Sequence, residues 1–363
     1  MQKNTRHIVL IIGFLFLLTL PTIVQLFNLE SKYLDNENRK KTNFPTLNIK
    51  KPQGFVRKFK SYYRDNFGMR NTLLNSYLNI KNNVLEESPL PSKVIIGKDN
   101  FLFLGNSFSN TVNESLGFDL FSLEELQKIS KNILARKKWL ESQNIKFYIA
   151  VAPSKHSVYR EKLPFIFPKI KNRKEQLLTY LKNTTDFEII DLGKQFEKQK
   201  LSNRLYRRND SHWNDIGAFY ASQTLLNRIK LDFDIKNSSF SDYKIDSVEK
   251  IGDISKLINY KKDFQYILKP TFLINYQIDS VPKYYKNEII SESRYINNTQ
   301  KFKILLFRDS FSSALIPFLN ESFNHTTYIW SHKFDEKLIK KEKPNIVVIE
   351  YTERYLERCL TQL

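Results

Sequence analysis

A short polar segment carries an acid and a histidine in a spacing that suits general-base catalysis. Asp210 and His212 are two residues apart, so in an extended segment both side chains face the same side. An acid in this position can accept the Nδ1 proton of the histidine and fix its tautomer. A structural interpretation competes with this one: Asn214 or Asp215 caps the helix that follows, and His212 is a surface residue.

A second segment supplies a candidate nucleophile. The apolar residues 302–307 predict a strand that runs into a tight polar turn at Ser310 and then into a helix. A serine hydroxyl in such a turn stands at the carboxyl end of the strand, where helix N-terminal amides can receive an oxyanion. The competing interpretation is that Ser310 is only an N-cap, which is a common use of serine. Joined with the Asp-x-His pair, Ser310 completes the nucleophile, base and orienting acid that acyl transfer needs.

Short apolar strands alternate with amphipathic helices over most of the chain. These elements must position the candidate residues Asp210, His212 and Ser310. The strand candidates are residues 145–151, 187–192, 302–307, 327–330 and 345–350. This alternation predicts an α/β fold with a parallel sheet covered by helices on both faces. Residues 232–300 interrupt the pattern and are rich in Tyr, Lys, Asp and Ser. We interpret them as an insertion and a candidate lid.

The N-terminal segment predicts a membrane anchor. Ile8 to Phe27 form an apolar run without charges, and twenty helical residues span roughly 30 Å of hydrocarbon. Lys3 and Arg6 precede the run, so the positive-inside rule leaves the N-terminus in the cytoplasm and the body outside. A cleaved signal peptide is the alternative, but no A-x-A-like site follows.

These observations predict three regions. Residues 1–28 are a cytoplasmic tip and a transmembrane signal-anchor, residues 29–90 a stalk and helical linker, and residues 91–363 the catalytic domain. A glycan on the Asn209 sequon would block the candidate site, so we expect a bacterial protein. Its location would be the inner membrane, crossed once, with the catalytic domain in the periplasm or at the cell exterior.

The composition excludes several classes of protein. The 41% of hydrophobic residues supports a core and excludes a mostly disordered chain. The single cysteine, Cys359, excludes an intrachain disulfide and a Cys-based zinc site. Lys and Arg number 58 against 38 Asp and Glu, a formal charge of +20. The basic residues are scattered, with no basic arm, zinc-finger spacing or RNP-like strand, so we expect no nucleic-acid partner.

The chain resembles a known family in five blocks that follow the same order. Residues 209–218 and 307–311, which hold the candidate acid, base and nucleophile, are similar to signature blocks of the SGNH-hydrolase-like proteins of alginate O-acetylation. Three further blocks that fit the family are residues 64–71, 94–103 and 152–164. The resemblance covers about residues 55 to 363.

This resemblance implies a fold and a set of site residues. The fold would be SGNH-hydrolase-like (flavodoxin-like), a parallel sheet between helices. The catalytic residues would be Ser310, His212 and Asp210, with no metal and no cofactor. We expect the substrate to contact three residues, namely Lys155, Asn214 and Arg308. Arg308 stands where the usual Gly-Asp-Ser turn has glycine, so the Ser310 amide is the expected oxyanion donor.

The resemblance also implies a function. The chain would be a membrane-anchored O-acetyltransferase that moves acetyl groups onto hydroxyls of an exported polysaccharide through a serine acetyl-enzyme. A multi-span membrane acyltransferase would supply the acetyl groups. The +20 charge suits an acidic glycan and an anionic membrane surface. Two alternatives stay open: an acetyl esterase with the same triad, and a non-catalytic polysaccharide-binding scaffold of an export complex.

Overall fold

The computed structural model describes residues 2–27, 29, 42–46, 52–166, 170–284 and 291–361. The chain divides into two compact units, Met1–Pro89 and Leu90–Leu363. In the first unit the described helices are α1 (Gln2–Leu26), α2 (Pro52–Asn66) and α3 (Arg70–Asn79), and a π-helical turn, Ile80–Val84, follows α3. Within the predicted stalk and helical linker, residues 30–41 and 47–51 lie outside the described residues.

Helix α1 is long and apolar enough to cross a membrane. The segment Thr5–Leu26 meets the length and hydropathy of a span, and none of it is buried inside the protein. A signal sequence has the same character, so the helix is a single membrane span or a signal. Helix α2 ends at Asn66 and α3 begins at Arg70, on either side of Gly68.

In the second unit, strands and helices alternate through most of the chain. The strands are β1 (Val94–Ile96), β2 (Leu102–Leu104), β3 (Lys146–Ala152), β4 (Ile190–Asp191), β5 (Tyr243–Lys250), β6 (Asp263–Pro270), β7 (Gln277–Tyr284), β8 (Ser291–Ile296), β9 (Lys303–Phe307), β10 (His325–Ile329) and β11 (Ile346–Thr352). The helices are α4 (Thr111–Leu116), α5 (Leu123–Glu141), α6 (Lys155–Val158), α7 (Arg173–Thr184), α8 (Phe196–Gln199), α9 (Asp215–Ile229), α10 (Asp253–Ile258), α11 (Ile316–Asn320) and α12 (Glu336–Glu342). Two 3-10 segments, Phe311–Ala314 and Glu353–Leu360, follow β9 and β11.

The main sheet has the strand order β4-β3-β11-β9-β10-β8-β7. The five strands from β4 to β10 in this order run parallel, which confirms the predicted α/β fold. The sheet is mixed, however, because β8 pairs antiparallel with β10 and β7 pairs antiparallel with β8. These two strands come from the predicted insertion, so part of that region extends the sheet. A separate antiparallel pair, β5 and β6, comes from the same region.

Alternate residues of the central strands face two separate cores. On β3, Tyr148 and Ala150 belong to one cluster and Phe147 and Ile149 to the other. Helix α9 contributes to the first cluster, and helices α5 and α7 contribute to the second. Burial on both faces explains why the central strands read as continuous apolar runs in the sequence.

The carboxyl ends of the parallel strands meet at one edge of the sheet, and this edge positions the site. Strand β9 ends at Phe307, three residues before Ser310, and its neighbour β11 ends at Thr352. The Asp-x-His segment lies between α8 and α9. Ligands of α/β folds bind outside such carboxyl ends.

Candidate active site

The loop that carries the acid and the histidine is held at its base. Tyr206 and Trp213 form an isolated antiparallel bridge, so the residues between them project as a loop. The buried Trp213 donates from its indole Nε1 to the carbonyl oxygen of Phe311, at 3.1 Å. The ring of Phe311 also lies against His212, with 4.9 Å between the ring centroids. The residue after Ser310 therefore fixes the loop and the histidine ring together.

The structure brings Asp210, His212 and Ser310 into one hydrogen-bonded chain. The Nδ1 atom of His212 lies 2.7 Å from Oδ1 of Asp210, which also accepts the backbone N–H of His212 at 3.0 Å. On the other side of the ring, Nε2 lies 2.8 Å from Oγ of Ser310. These distances fit a nucleophile, a base and an orienting acid in contact.

The charges around Asp210 determine where the protons lie in the hydrogen-bonded series Asp210, His212 and Ser310. Burial alone would raise the pKa of Asp210, but the hydrogen bond and the charge of His212 hold the pKa well below its usual range. The Arg207 guanidinium, 3.7 Å from Oδ2, lowers the pKa further. The ionised carboxylate favours a proton on Nδ1 of His212, which leaves Nε2 free to accept the proton of Ser310.

A second carboxylate, which the sequence analysis missed, supports the loop. Asp253 begins α10, and its carboxylate accepts the backbone N–H of Ser211 at 2.7 Å and the Ser211 hydroxyl. Its Oδ2 lies 3.5 Å from Nδ1 of His212. The backbone N–H of Asp253 donates to Oδ2 of Asp210 at 3.1 Å. The one sequence feature that marks Asp253 is its position at the start of a short apolar helix.

Buried groups on both sides fix the turn that carries Ser310. The carboxylate of Asp309 accepts the backbone N–H of Phe311 at 2.9 Å and both the N–H and the hydroxyl of Thr352, at 2.9 and 2.7 Å. The backbone N–H of Asp309 in turn donates to Oε2 of Glu350, at 3.2 Å. Strand β11 therefore holds the residues on either side of the nucleophile.

Glu350 is the second residue that sequence reasoning missed. Its Oε2 also accepts the hydroxyl of Ser312, at 2.8 Å. Burial, with the nearby charge of Asp309, raises the pKa of Glu350 well above its usual range. An acid that ends an otherwise apolar strand is the pattern that could have identified it.

The backbone N–H of Ser310 is suited to receive an oxyanion. It has no hydrogen-bond acceptor among the described residues, whereas the next amide, of Phe311, is taken by Asp309. The Ser310 hydroxyl makes no cap hydrogen bond to the 3-10 turn that follows and contacts His212 instead. The N-cap interpretation of this serine therefore does not describe its contacts.

Lys155, which the sequence predicted as a substrate contact, makes hydrogen bonds to protein groups in this structure, and its role toward substrate stays a prediction. Its ammonium group is buried and donates to four backbone carbonyls, those of Leu102, Arg207, Arg208 and Asp210, at 2.7 to 3.1 Å. Burial lowers the pKa of Lys155 to about 7, against the opposing charges of Asp210 and Asp253. Three of the four carbonyls belong to the loop between Tyr206 and Trp213, which we call the catalytic loop. Lys155 therefore holds the backbone of that loop.

Asn214 and Arg308 likewise face protein groups. Asn214 is buried and caps α9, accepting the N–H of Gly217 at 3.0 Å, as the structural interpretation of this segment predicted. Arg308 donates to the carbonyl of Asp309 at 3.0 Å and to the hydroxyl of Ser313 at 2.8 Å. The structure thus gives all three predicted substrate residues a buried supporting position, because each satisfies polar groups inside the protein.

A cavity of about 500 Å³ opens beside Ser310 and His212. Part of its wall comes from the region predicted as an insertion, and the contributing residues are Tyr243, Leu268, Pro270, Phe272, Ile274 and Tyr276. The rest of the lining includes Phe311, Ala314, Pro317, Phe318 and Glu321. Residues of the predicted insertion therefore line the same cavity as Ser310 and His212.

Three side chains here also have the spacing of metal ligands. Asp210, His212 and Asp253 each present one ligand atom, and these atoms lie within 4.8 Å of one another. Both ring nitrogens of His212 are already in hydrogen bonds with Asp210 and Ser310. Binding of a cation through this histidine would break the hydrogen bond that joins base and orienting acid, or the one that joins base and nucleophile.

Comparison with known proteins places this arrangement in context. A family model described as the SGNH hydrolase-like domain of the acetyltransferase AlgX matches residues 94–331. The matched range contains Asp210, His212 and Ser310. No curated protein sequence matches the chain significantly.

Solved structures share the fold. Bacillus cereus PatB1 is 20% identical, with a TM-score of 0.52, over 71% of this chain and 95% of that one. PatB1 with a sulfonyl adduct is 21% identical, with a TM-score of 0.54, over 72% and 97%. A DHHW family protein from Eubacterium siraeum is 13% identical, with a TM-score of 0.52, over 74% and 97%.

Proposed function

This chain belongs to the family of SGNH hydrolase-like domains described for the acetyltransferase AlgX, and from that premise we propose that it is a polysaccharide O-acetyltransferase acting through a serine acetyl-enzyme. The observation that carries the proposal is the chain of hydrogen bonds from Ser310 through His212 to Asp210. It lies at the carboxyl ends of the parallel strands, beside a cavity large enough for an acceptor.

The first half-reaction would load the enzyme. The Ser310 oxygen attacks the carbonyl carbon of the acetyl donor while Nε2 of His212 takes the hydroxyl proton. The negative charge that develops on the carbonyl oxygen is received by the backbone N–H of Ser310. The bond between the acetyl carbon and the donor oxygen then breaks, and His212 returns the proton to the departing alcohol. The product is an ester of Ser310.

The second half-reaction would transfer the acetyl group. A sugar hydroxyl gives its proton to Nε2 of His212 and attacks the acetyl carbon, and the serine oxygen leaves and regains a proton from the histidine. Water in place of the sugar would make the chain an esterase. The cavity of about 500 Å³ has room for a sugar acceptor beside the acetyl group, and an acetylated sugar that is to be hydrolysed needs the same space, so the acceptor experiment below decides between the two.

We further propose that the chain is anchored once in the bacterial inner membrane with its catalytic domain on the periplasmic or outer side. Support comes from the apolar helix α1 and from Lys3 and Arg6 before it. In this position the domain could receive acetyl groups from a multi-span membrane acyltransferase. The acetyl donor on the outer side would then be that partner.

The proposal is tested by trapping the acetyl-enzyme. The full chain in detergent is incubated with 4-nitrophenyl acetate and digested, and the acetylated peptide is located by mass spectrometry. We expect the adduct on Ser310, and we expect Ser310→Ala to abolish both the adduct and the release of nitrophenol. Ser331→Ala is the matched control, because Ser331 also follows a parallel strand, β10, but lies outside the cavity lining.

Three outcomes separate the candidate functions. Acetyl transfer from the adduct to an added oligosaccharide, faster than release of acetate, supports the transferase. Release of acetate that no oligosaccharide redirects supports the esterase. If Ser310 stays unmodified in a folded chain, the transferase and the esterase are both rejected, and the non-catalytic polysaccharide-binding scaffold is the remaining candidate.

A further inference from the structure

The cavity beside the nucleophile differs in charge from the chain as a whole. The sequence carries a formal charge of +20. Among the described residues that line the cavity, however, Arg207 is the only lysine or arginine, and it is outnumbered by the acids Asp215 and Glu321. The excess of positive charge therefore lies elsewhere on the molecule, and it is not a guide to the ligand of this site.

The single guanidinium in the lining already serves the catalytic acid. The Nη1 atom of Arg207 lies 3.7 Å from Oδ2 of Asp210 and helps to lower the pKa of that carboxyl. A substrate carboxylate that recruited Arg207 would weaken this support of Asp210. The Nε atom of Arg207 has no hydrogen-bond partner among the described residues, so an anionic ligand that reached this guanidinium would compete with Asp210 for the one lysine or arginine of the described lining.

Aromatic rings form the apolar part of the wall. Tyr243 packs edge-on against Phe272 and Phe318, with ring centroids 5.6 and 5.5 Å apart, and all three rings line the cavity together with Tyr276. Ligand pockets combine such apolar surfaces with a few placed polar groups. The C–H faces of a pyranose ring are apolar and suit a wall of this kind.

Glu321 supplies the polar group. It follows α11 and is half-buried, and its Oε1 has no hydrogen-bond partner among the described residues. Burial raises its pKa, against hydrogen bonds from Asn275. Asp215, by contrast, is engaged by the backbone N–H of Leu268 at 3.1 Å. A buried carboxyl oxygen without a donor is satisfied by a hydroxyl group and repels a second carboxylate.

We propose that the acceptor in this cavity is an uncharged sugar, held against the aromatic wall with one hydroxyl donating to Glu321, and that uronates are excluded. The inference rests on the acetyltransferase function proposed above and specifies its substrate class. It replaces the sequence-based expectation of an acidic glycan, which followed from net charge alone.

The test measures loss of the acetyl group from preloaded enzyme. The full chain in detergent is acetylated with 4-nitrophenyl acetate and mixed with one of three acceptors of equal length: a galactose oligomer, a galacturonate oligomer, or the methyl ester of that galacturonate oligomer. We expect acetylated sugar from the first and third, at a rate at least about tenfold above the second, the ratio that roughly 1.4 kcal/mol of discrimination gives. The methyl ester isolates the effect of the negative charge.

Substitutions at Glu321 provide the second arm. Glu321→Lys should raise transfer to the galacturonate oligomer relative to the galactose oligomer by about tenfold, the factor that roughly 1.4 kcal/mol corresponds to. Glu249→Lys is the matched control, because Glu249 is an exposed acid on β5 outside the cavity lining, and it should leave both the transfer ratio and loading by 4-nitrophenyl acetate unchanged within about twofold.

The outcomes separate the two proposals. If the enzyme does not load, the acetyltransferase proposal fails. If it loads but transfers equally well to galacturonate, or if no oligomer accelerates loss of the acetyl group beyond hydrolysis, the acceptor inference alone is rejected.

Discussion

At the scale of single residues, the charge of Asp210 supports the proposed reaction through His212. Asp210→Asn preserves the shape of the loop but removes the charge that favours the Nδ1 proton of His212. We expect the rate of loading by 4-nitrophenyl acetate to fall by up to about 10⁴, as the equivalent change does in serine triads. A variant that keeps more than about a tenth of the rate would show that Asp210 is not the orienting acid.

Lys155 distinguishes a substrate contact from a supporting one. Because its ammonium group satisfies four buried carbonyls, Lys155→Met should lower the free energy of unfolding by about 1–3 kcal/mol. Lys128→Met, at an exposed position on α5, should change it by less than about 0.5 kcal/mol. Denaturant titration of the full chain in detergent measures both. An unchanged stability for Lys155→Met would contradict the supporting role.

His156 gives the molecule a stability that depends on pH. The ring is buried, its Nε2 lies 2.8 Å from the carbonyl of Leu104, and burial lowers its pKa to about 4. The unfolded chain therefore binds the proton first, and this contribution is present above pH 6.5 and is lost as the pH falls towards 4. The destabilisation caused by His156→Gln should shrink over that range, by up to about 1.4 kcal/mol per pH unit. A difference between wild type and variant that stays constant with pH would contradict this.

The sequence predicted the residues of the site unevenly, for physical reasons. Asp210 and His212 are close in the chain, and Ser310 follows an apolar strand, so local spacing was enough to nominate them. Asp253 and Glu350 act through contacts with distant segments, which local spacing does not reveal. The burial of Lys155 is also a tertiary property, and in the sequence it resembles any loop lysine.

At the scale of elements, the approach of α10 to the catalytic loop depends on a glycine. A Cβ atom on Gly252 would lie 2.0 Å from the carbonyl oxygen of Asn209, although the backbone at Gly252, with φ at −77°, suits any residue. Gly252→Ala should therefore push α10 and Asp253 away from the loop. We expect a cost of about 1–3 kcal/mol in stability and slower loading.

Gly54→Ala is the control for this prediction. Gly54 lies in α2, nothing is within 4 Å of its Cβ position, and alanine favours a helix by up to about 1 kcal/mol. Equal stability and loading rates for the two variants would argue against a close contact between α10 and the loop.

The central strands were predictable because burial on both faces leaves a continuous apolar run. Strands β7 and β8 were not predictable, because they carry mixed polar residues and form one side of the sheet, with β7 at its edge. The predicted strand at residues 187–192 is shorter in the structure, Ile190–Asp191, again at an edge. The pattern of apolar residues therefore predicted the central strands of the sheet better than the strands at its two sides.

At the scale of the whole molecule, helix α1 leads to a prediction about topology. Lys3 and Arg6 precede the apolar helix, so the body should lie on the outer side of the membrane. Protease added to intact spheroplasts should digest the body, and a cytoplasmic marker protein should survive. A body that resists digestion until the membrane is dissolved would overturn the proposed orientation.

The position of β11 in the sheet has a consequence for how the protein is made. This strand follows all the others in the chain but lies between β3 and β9, and its Ile346 pairs with Lys146, about 200 residues earlier. Until β11 is synthesised, β3 with β4 and β9 with β10 are two half-sheets with open apolar edges. We therefore expect folding to be slow and to be completed only after the chain has been synthesised past residue 352.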